Sequence, residues 1–297
     1  MAVPDGLLII DKPADWTSHD VVARCRGLLG TRRIGHAGTL DPMATGVLLL
    51  GVGRGTRLLG RLLAAEKAYD ATIRLGQSTI TDDAEGDVVS SADASGVDVA
   101  DIRAAVGRLT GAIQQRPSAV SAIKIKGQRA YKLVRAGEDV ELPPRPVTVF
   151  RFDILEIRRL DFQVDVDVHV DGSTGTYIRA LARDLGADLG VGGHLTRLRR
   201  VRVGRYDIAE SQPLSALEAG SVDVVPLAAL AGDNFPTYRV DCTHETAIRH
   251  GRAMQVDLGA EGQVALFSEA GEFLALYEQH GPLAKAVAVF AGSASGE

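Results

Sequence analysis

Three side chains have the types and settings from which chemistry is built: Asp41 in a glycine-rich loop, Tyr69 at the start of a strand, and Arg179 near the N-terminus of a helix. A carboxylate so placed suits covalent or electrostatic work, and the positive end of a helix beside an arginine favours an anionic neighbour. Each also has a plain structural reading. An Asp before Pro is a common turn initiator, a strand tyrosine commonly packs in the core with its hydroxyl at the rim, and an exposed arginine pairs on the surface for at most ~1 kcal/mol. No metal or nucleophile pattern competes with them. The seven histidines form no His-Glu-x-x-His set, the two cysteines, Cys25 and Cys242, lie far apart, and no Gly-x-Ser-x-Gly elbow or Walker loop occurs. A metal-free carboxylate mechanism is what remains.

The elements that must position these residues are legible in the periodicity. Leu7–Ile10 reads as a short buried strand ended by Pro13. A helix follows, capped by Thr17 with Asp20 three residues on, striped by Val21, Val22, Cys25, Leu28 and Leu29, and closed by Gly30. Residues 31–46 read as a loop rigid enough to carry a site, and Val47–Leu50 as a second buried strand. Alternation predicts a strand from Tyr69 to Leu75, a polar excursion over 76–100, a helix around 101–109, and a second, basic helix through Ala130–Leu133. Strands are expected over 150–157 and 162–170, the latter alternating Val164, Val166, Val168 and Val170 with polar residues. Ser173 or Thr174 is expected to cap a helix striped by Ile178, Leu181, Leu185 and Leu189. Prolines at 213, 226 and 236 mark a boundary, beyond which short strand-like runs suggest a small β-rich module.

Composition narrows the class. A 45% hydrophobic content over 297 residues supports an ordinary packed core, and no run approaches the roughly 20 apolar residues of a membrane span. With neither a secretory signal nor a disulfide pattern, a cytoplasmic protein is expected. The net charge of -5 argues against a polyanionic partner, but its distribution does not. Residues 82–101 hold seven acids and no Lys or Arg, whereas 24–33, 116–135 and 197–205 are basic without one acid. Three such runs suit a surface that tracks phosphates; taken singly, each suits a solvated face.

The stretch Gly35-His36-Ala37-Gly38-Thr39-Leu40-Asp41-Pro42-Met43-Ala44-Thr45-Gly46 resembles the catalytic-aspartate motif of the bacterial tRNA pseudouridine-55 synthases. Asp11-Lys12-Pro13-x-x-Trp16-Thr17-Ser18 is similar to that family's opening motif, and Glu66-Lys67-x-Tyr69 to its tyrosine strand. Ser121 to Tyr131 resembles its RNA-gripping insertion, Gly175-Thr176-Tyr177-Ile178-Arg179 its arginine motif, and Leu195-x-Arg197-Leu198-Arg199-Arg200 its closing strand. These motifs run in family order over residues 5–205. Ala37, Thr39 and Ala68 are its departures.

The resemblance implies an α+β fold, with a mixed, mostly antiparallel sheet, flanking helices and a central catalytic cleft over residues 1–230, an insertion at about 116–145, and a PUA-like RNA-binding module over 235–292. It implies isomerisation of uridine 55 in the T loop of tRNA after base extrusion. Asp41 would act at C1′, at C6, or in elimination to a glycal. Arg179 would pair with Asp41 and keep it ionised, Tyr69 would stack on the base, His36 would fill the space extruded bases leave, and Tyr177 and Leu198 would wall the pocket. Lys12, Arg33, Lys124, Lys126, Arg129, Lys132, Arg199 and Arg200 would contact RNA. The expected partner is the tRNA T stem-loop, with no guide RNA, no membrane, and a monomeric protein. A guide-directed or ribosomal-RNA synthase, a noncatalytic RNA chaperone, and a small-molecule α/β enzyme are the rivals; chaperoning is compatible with catalysis as a second role.

Overall fold

The computed structural model describes residues 3–118 and 142–291 and, in backbone only, 124–125 and 128–129. In chain order the elements that build and border the site are β1 (Gly6–Lys12), α1 (Ser18–Leu29), β2 (Ile34–Ala37), β3 (Thr45–Val52), α2 (Leu59–Leu63), β4 (Lys67–Leu75), β5 (Gln77–Thr79), β6 (Val88–Ser91), α3 (Val99–Arg108), β7 (Gly111–Gln115), β8 (Lys124–Ile125), β9 (Gln128–Arg129), β10 (Arg145–Arg159), β11 (Val164–Gly172), α4 (Ile178–Asp188) and β12 (Gly193–Val203).

The α+β expectation holds. The main sheet runs β1-β3-β12-β4-β11-β10-β7, with β2 added on β3. Its ladders are antiparallel except where β3 meets β12, at Thr45 with Arg199 and Gly46 with Arg200, and where Gln212–Pro213 joins β1. The period-2 pattern explains the placement. Val164, Val166, Val168 and Val170 are fully buried, while Asp165, Asp167, His169 and Asp171 meet Arg74, Thr72, Asp70 and Ala68 across the ladder to β4. Gly46 has no substitute where the sheet changes sense: its φ is 99°, and a Cβ there would lie 2.1 Å from the Arg200 carbonyl oxygen.

Helix α1 forms as its sequence dictates. Thr17 and Asp20 make a reciprocal capping box and Gly30 closes the helix at φ 61°. Two expectations need correction. The loop foreseen over 31–46 contains β2, whose Ile34 and Ala37 are buried although Gly35-His36 between them breaks any apolar alternation. Neither Ser173 nor Thr174 caps α4, which starts from Tyr177 without a side-chain cap. Their hydroxyls serve other groups: the Thr148 amide donates to Ser173 Oγ, 2.9 Å, and Thr174 Oγ1 donates to the Leu63 carbonyl, 2.9 Å. The basic helix foreseen through Ala130–Leu133 lies outside the described residues.

The C-terminal strands Thr237–Val240, Gln263–Ser268, Phe273–His280 and Leu283–Val289 form a separate four-stranded sheet. It packs on the main sheet through a shared core in which Leu7, Ile9, Val47 and Leu49 join Phe235, Phe273, Leu276 and Phe290. Arg57 reinforces the seam, with its guanidinium 4.6 Å over the Phe290 ring and donating to the Val289 carbonyl at 2.7 Å.

Candidate active site

Asp41 sits in the turn between β2 and β3, and its two neighbours are clamped by buried groups. On one side Ser18, the first residue of α1, receives the Leu40 amide at 2.9 Å and donates to the Leu40 carbonyl at 3.2 Å. On the other, Lys12 Nζ donates to the carbonyls of Pro42 (3.0 Å), Pro13 (2.9 Å) and Trp16 (2.5 Å). The Ala44 amide donates back to the Asp41 carbonyl at 3.1 Å and closes the turn. The turn that carries the aspartate is thus fixed before any ligand arrives. Lys12 is fully buried, so the expected RNA contact is instead a scaffold. Its ammonium is drawn down to about 8, burial being the main cause and Asp41 opposing it.

Arg179 reaches the same turn from the first turn of α4. Its Nη2 donates to Asp41 Oδ1 at 3.0 Å, and its Nη1 donates to the Thr81 carbonyl at 3.1 Å and lies 3.4 Å from Asp83 Oδ2. The guanidinium is 5% exposed and Asp83 only 2%. Asp83 is in turn held by Thr81 Oγ1 (2.5 Å) and the Glu85 amide (3.1 Å). Sequence reasoning missed Asp83, because an acid among seven in a polar excursion carries no signal beyond the Asx turn it makes. The consequence is electrostatic. Burial pushes the Asp41 carboxyl up from the usual aspartate range; Arg179 opposes this, Asp83 adds to it, and the upward direction prevails. Arg179 is shared between two carboxylates rather than devoted to one, so the pair forms as expected while the ionising effect is outweighed.

Above this triad opens a cavity of about 290 Å³ lined by Asp41, Tyr69, Tyr177, Arg179, Leu198, Lys67 and Arg200 among others. Strand periodicity assembles its walls: Lys67 and Tyr69 share one face of β4, and Leu198 and Arg200 one face of the adjacent β12. Tyr177 is fixed at the mouth by Gln115, which receives its amide at 2.8 Å and donates to its carbonyl at 3.0 Å. The cavity is near the small end of the ~300–1,000 Å³ range of ligand pockets, with a few polar groups converging on apolar and aromatic walls. It suits one planar ring system.

Residues 26–178 match the TruB family pseudouridylate synthase N-terminal domain, and residues 179–223 the tRNA pseudouridylate synthase B C-terminal domain. The tRNA pseudouridine synthase B of Thermobifida fusca is 54% identical over 293 residues, covering 97% of this chain and 99% of that protein. The chain belongs to the TruB family of pseudouridylate synthases. The protein of the same description from Cutibacterium acnes is 56% identical over 273 residues, 92% of each chain. Among solved structures, a chain of a Cbf5-Nop10-Gar1 complex superposes with a TM-score of 0.70 at 26% identity, covering 97% of this chain and 84% of that one. A chain of an H/ACA RNP bound to a substrate RNA containing 2'-deoxyuridine gives a TM-score of 0.71 at 24% identity, covering 97% and 85%, a likeness of fold.

Not every residue expected from the TruB resemblance gathers in the cavity. His36 lies on β2 outside the lining, its ring 5.3 Å from that of His19 and nearly perpendicular to it. Burial, His19 and Arg200 lower its pKa, and its buried Nδ1 has no partner among the described residues. Arg200 is 1% exposed and donates to the carbonyls of Val47 (2.7 Å) and Gly38 (2.9 Å), so it belongs to the cavity floor and not to an outer phosphate-tracking surface. Arg199 forks onto Asp11 at 3.0 and 2.7 Å, and Arg33 is exposed at the start of β2. Lys124 and Arg129 are backbone partners in the short β8–β9 ladder; Lys126 and Lys132 lie outside the described residues.

Proposed function

We propose that this protein isomerises uridine 55 in the T loop of tRNA to pseudouridine, with Asp41 as the catalytic carboxylate. The observation that carries the reading is the Asp41–Arg179 pair, 3.0 Å apart at the floor of a cavity walled by Tyr69 and Leu198. The names of relatives more than half identical over nearly their whole lengths support tRNA as substrate, and the motif set supports the T-loop position.

The reading entails a definite chemistry. A uridine stacked in a loop exposes neither face of its glycosidic bond, so the base must leave the stack, at a cost of a few kcal/mol offset by phosphate contacts. Tyr69 and Leu198 then sandwich the ring. Asp41 assists rupture of the N1–C1′ bond by adding at C1′, by adding at C6, or by drawing off a proton toward a glycal. The detached uracil turns within the walls, C5 bonds to C1′, C5 gives up its hydrogen as a proton, and N1 ends protonated. Atoms and electrons balance without an oxidant, so no cofactor is required. Arg179 holds the carboxylate aimed at the sugar, and Asp83 holds Arg179. Protein and RNA suffice without a guide, because recognition of the T stem-loop falls to Arg33, Arg199 and the basic insertion of this one chain. We assign residues 1–230 to catalysis and 235–292 to a PUA-like RNA-binding module, and we place the protein in the cytoplasm as a monomer.

Mapping tRNA from a strain lacking the protein tests the assignment. A uridine left unmodified at position 55, restored by wild type and not by Asp41→Asn, is the expected result; an unchanged modification pattern would overturn it.

A further inference from the structure

Two buried cations meet in the cavity without an ion-pair partner among the described residues. Lys67 is 8% exposed and Arg200 1%. A Cβ placed on Gly38, whose φ is 79°, would lie 3.3 Å from Arg200 Nη1 and 3.5 Å from Lys67 Cε, so both side chains converge on the notch that this glycine leaves open. Among the described residues no carboxylate comes within the 4.0 Å ion-pair distance of either, and Asp41, the acid of the same cavity, has its Oδ1 on Arg179. Buried charges ordinarily pair, and two like charges side by side raise the cost of leaving them unpaired.

Both cations retain donors for a ligand. Lys67 Nζ gives one hydrogen to the Ala65 carbonyl (2.6 Å) and one to the Leu63 carbonyl (3.2 Å), which leaves the third of its three. Arg200 commits Nε to Val47 and Nη2 to Gly38, and Nη1 has no acceptor among the described residues. Burial, followed by Arg200, draws the Lys67 ammonium down to about 8, the mark of a cation whose surroundings supply no anion.

We propose that Lys67 and Arg200, converging beside Gly38, form a phosphate subsite that holds a backbone phosphodiester flanking the extruded uridine. The inference rests on the reading of the cavity as a nucleotide site and goes beyond it. Arg200 is almost sealed from solvent and Lys67 nearly so, and both lie within the cavity, so a stacked nucleotide leaves the subsite empty and only an extruded one fills it. The contact therefore favours the flipped state over the stacked one, unlike surface lysines, which hold both states equally and so contribute only to affinity. A phosphodiester, always a monoanion, matches this pair better than a uracil carbonyl would, since the base already has Tyr69 and Leu198 for walls.

The test neutralises the ligand and leaves the protein intact. T stem-loop RNAs carry a single methylphosphonate linkage on the 5′ or the 3′ side of the target uridine, or at a remote stem position, with tritium at C5 of that uridine. Turnover is followed by tritium release for wild type, Lys67→Arg and Lys67→Gln. One of the two flanking substitutions is expected to lower wild-type kcat/KM about tenfold or more, as loss of a charge-assisted hydrogen bond does. Lys67→Arg should keep that sensitivity and Lys67→Gln should lose most of it, with its activity on unmodified RNA already reduced. Flanking linkages no more harmful to wild type than the remote one would overturn the subsite, as would equal sensitivity in Lys67→Gln. If wild type turned over the unmodified RNA normally in those cases, the functional reading would stand while the subsite fell. Absence of turnover on unmodified RNA would remove both.

Discussion

Replacing Arg179 by Met keeps an unbranched apolar stem and removes the charge shared by Asp41 and Asp83. Asp41 Oδ1 and the Thr81 carbonyl then lose a donor, and Asp83 loses its ion-pair partner. Breaking a buried pair by deleting one partner costs about 3–5 kcal/mol. Protonation limits the damage, because a carboxyl with its pKa near 4 accepts a proton at neutral pH for ~4 kcal/mol, at 1.36 kcal/mol per pH unit. Asp41 keeps about a third of its side chain open to solvent while Asp83 is buried, so a loss at the low end of that range, about 3 kcal/mol, is expected. With an unfolding entropy of about 2.1 cal/mol/K per residue, a chain of 297 residues should melt about 5 °C lower. The pH dependence identifies the cause. In the variant the folded-state pKa of the uncompensated carboxyl rises further above its unfolded value, so the folded state binds the extra proton and the deficit shrinks as pH falls through that raised pKa. Urea unfolding followed by circular dichroism, from about pH 7.5 to about pH 5, reads both effects. A deficit below about 1 kcal/mol at every pH, or one that widens on acidification, would refute a buried, shared guanidinium.

Other consequences follow from named contacts. Lys12→Met strips a donor from the carbonyls of Pro42, Pro13 and Trp16 and should destabilise the fold by roughly 3 kcal/mol and slow turnover. Unchanged thermal stability with weakened RNA binding would instead make Lys12 an RNA contact. Asp83→Asn removes a neighbour that raises the Asp41 pKa, so the acidic limb of the kcat/KM profile should move to lower pH; a limb that stays or moves up would show that Asp83 does not act on Asp41 through charge. RNA affinity should fall linearly on a log–log plot against salt concentration, and a flat response would return the basic runs to solvated faces.

The sequence was most legible where local chemistry and fold agree. The capping box of Thr17 and Asp20 and the alternating valines of β11 mark α1 and one strand of the sheet directly, because caps and period-2 burial depend on neighbours along the chain. Asp41, Tyr69 and Arg179 stand out by type and setting and Tyr177 and Leu198 through motif likeness, and their convergence on one cavity needs the register of β4 against β12, which no local pattern encodes. The roles of charged residues were the least legible. Lys12 and Arg200 read as surface cations by type, yet the chain folds carbonyl oxygens around them, and only tertiary structure distinguishes a buried cation from a solvated one. The same limit hid Asp83 within its acidic run and assigned the α4 cap to Ser173 or Thr174, whose hydroxyls serve Thr148 and Leu63.

The central claim is that Asp41 drives a reaction at uridine rather than marking a turn. Forming the C5–C1′ bond obliges C5 to release its hydrogen, whichever way the carboxylate acts first. A T stem-loop with tritium at C5 of the target uridine, incubated with the protein without added metal or nucleotide, measures that release directly. Wild type should free one tritium per target uridine into water, and Asp41→Asn should free none while binding the same RNA with nearly unchanged affinity. Tritium release by Asp41→Asn at close to the wild-type rate would contradict the account.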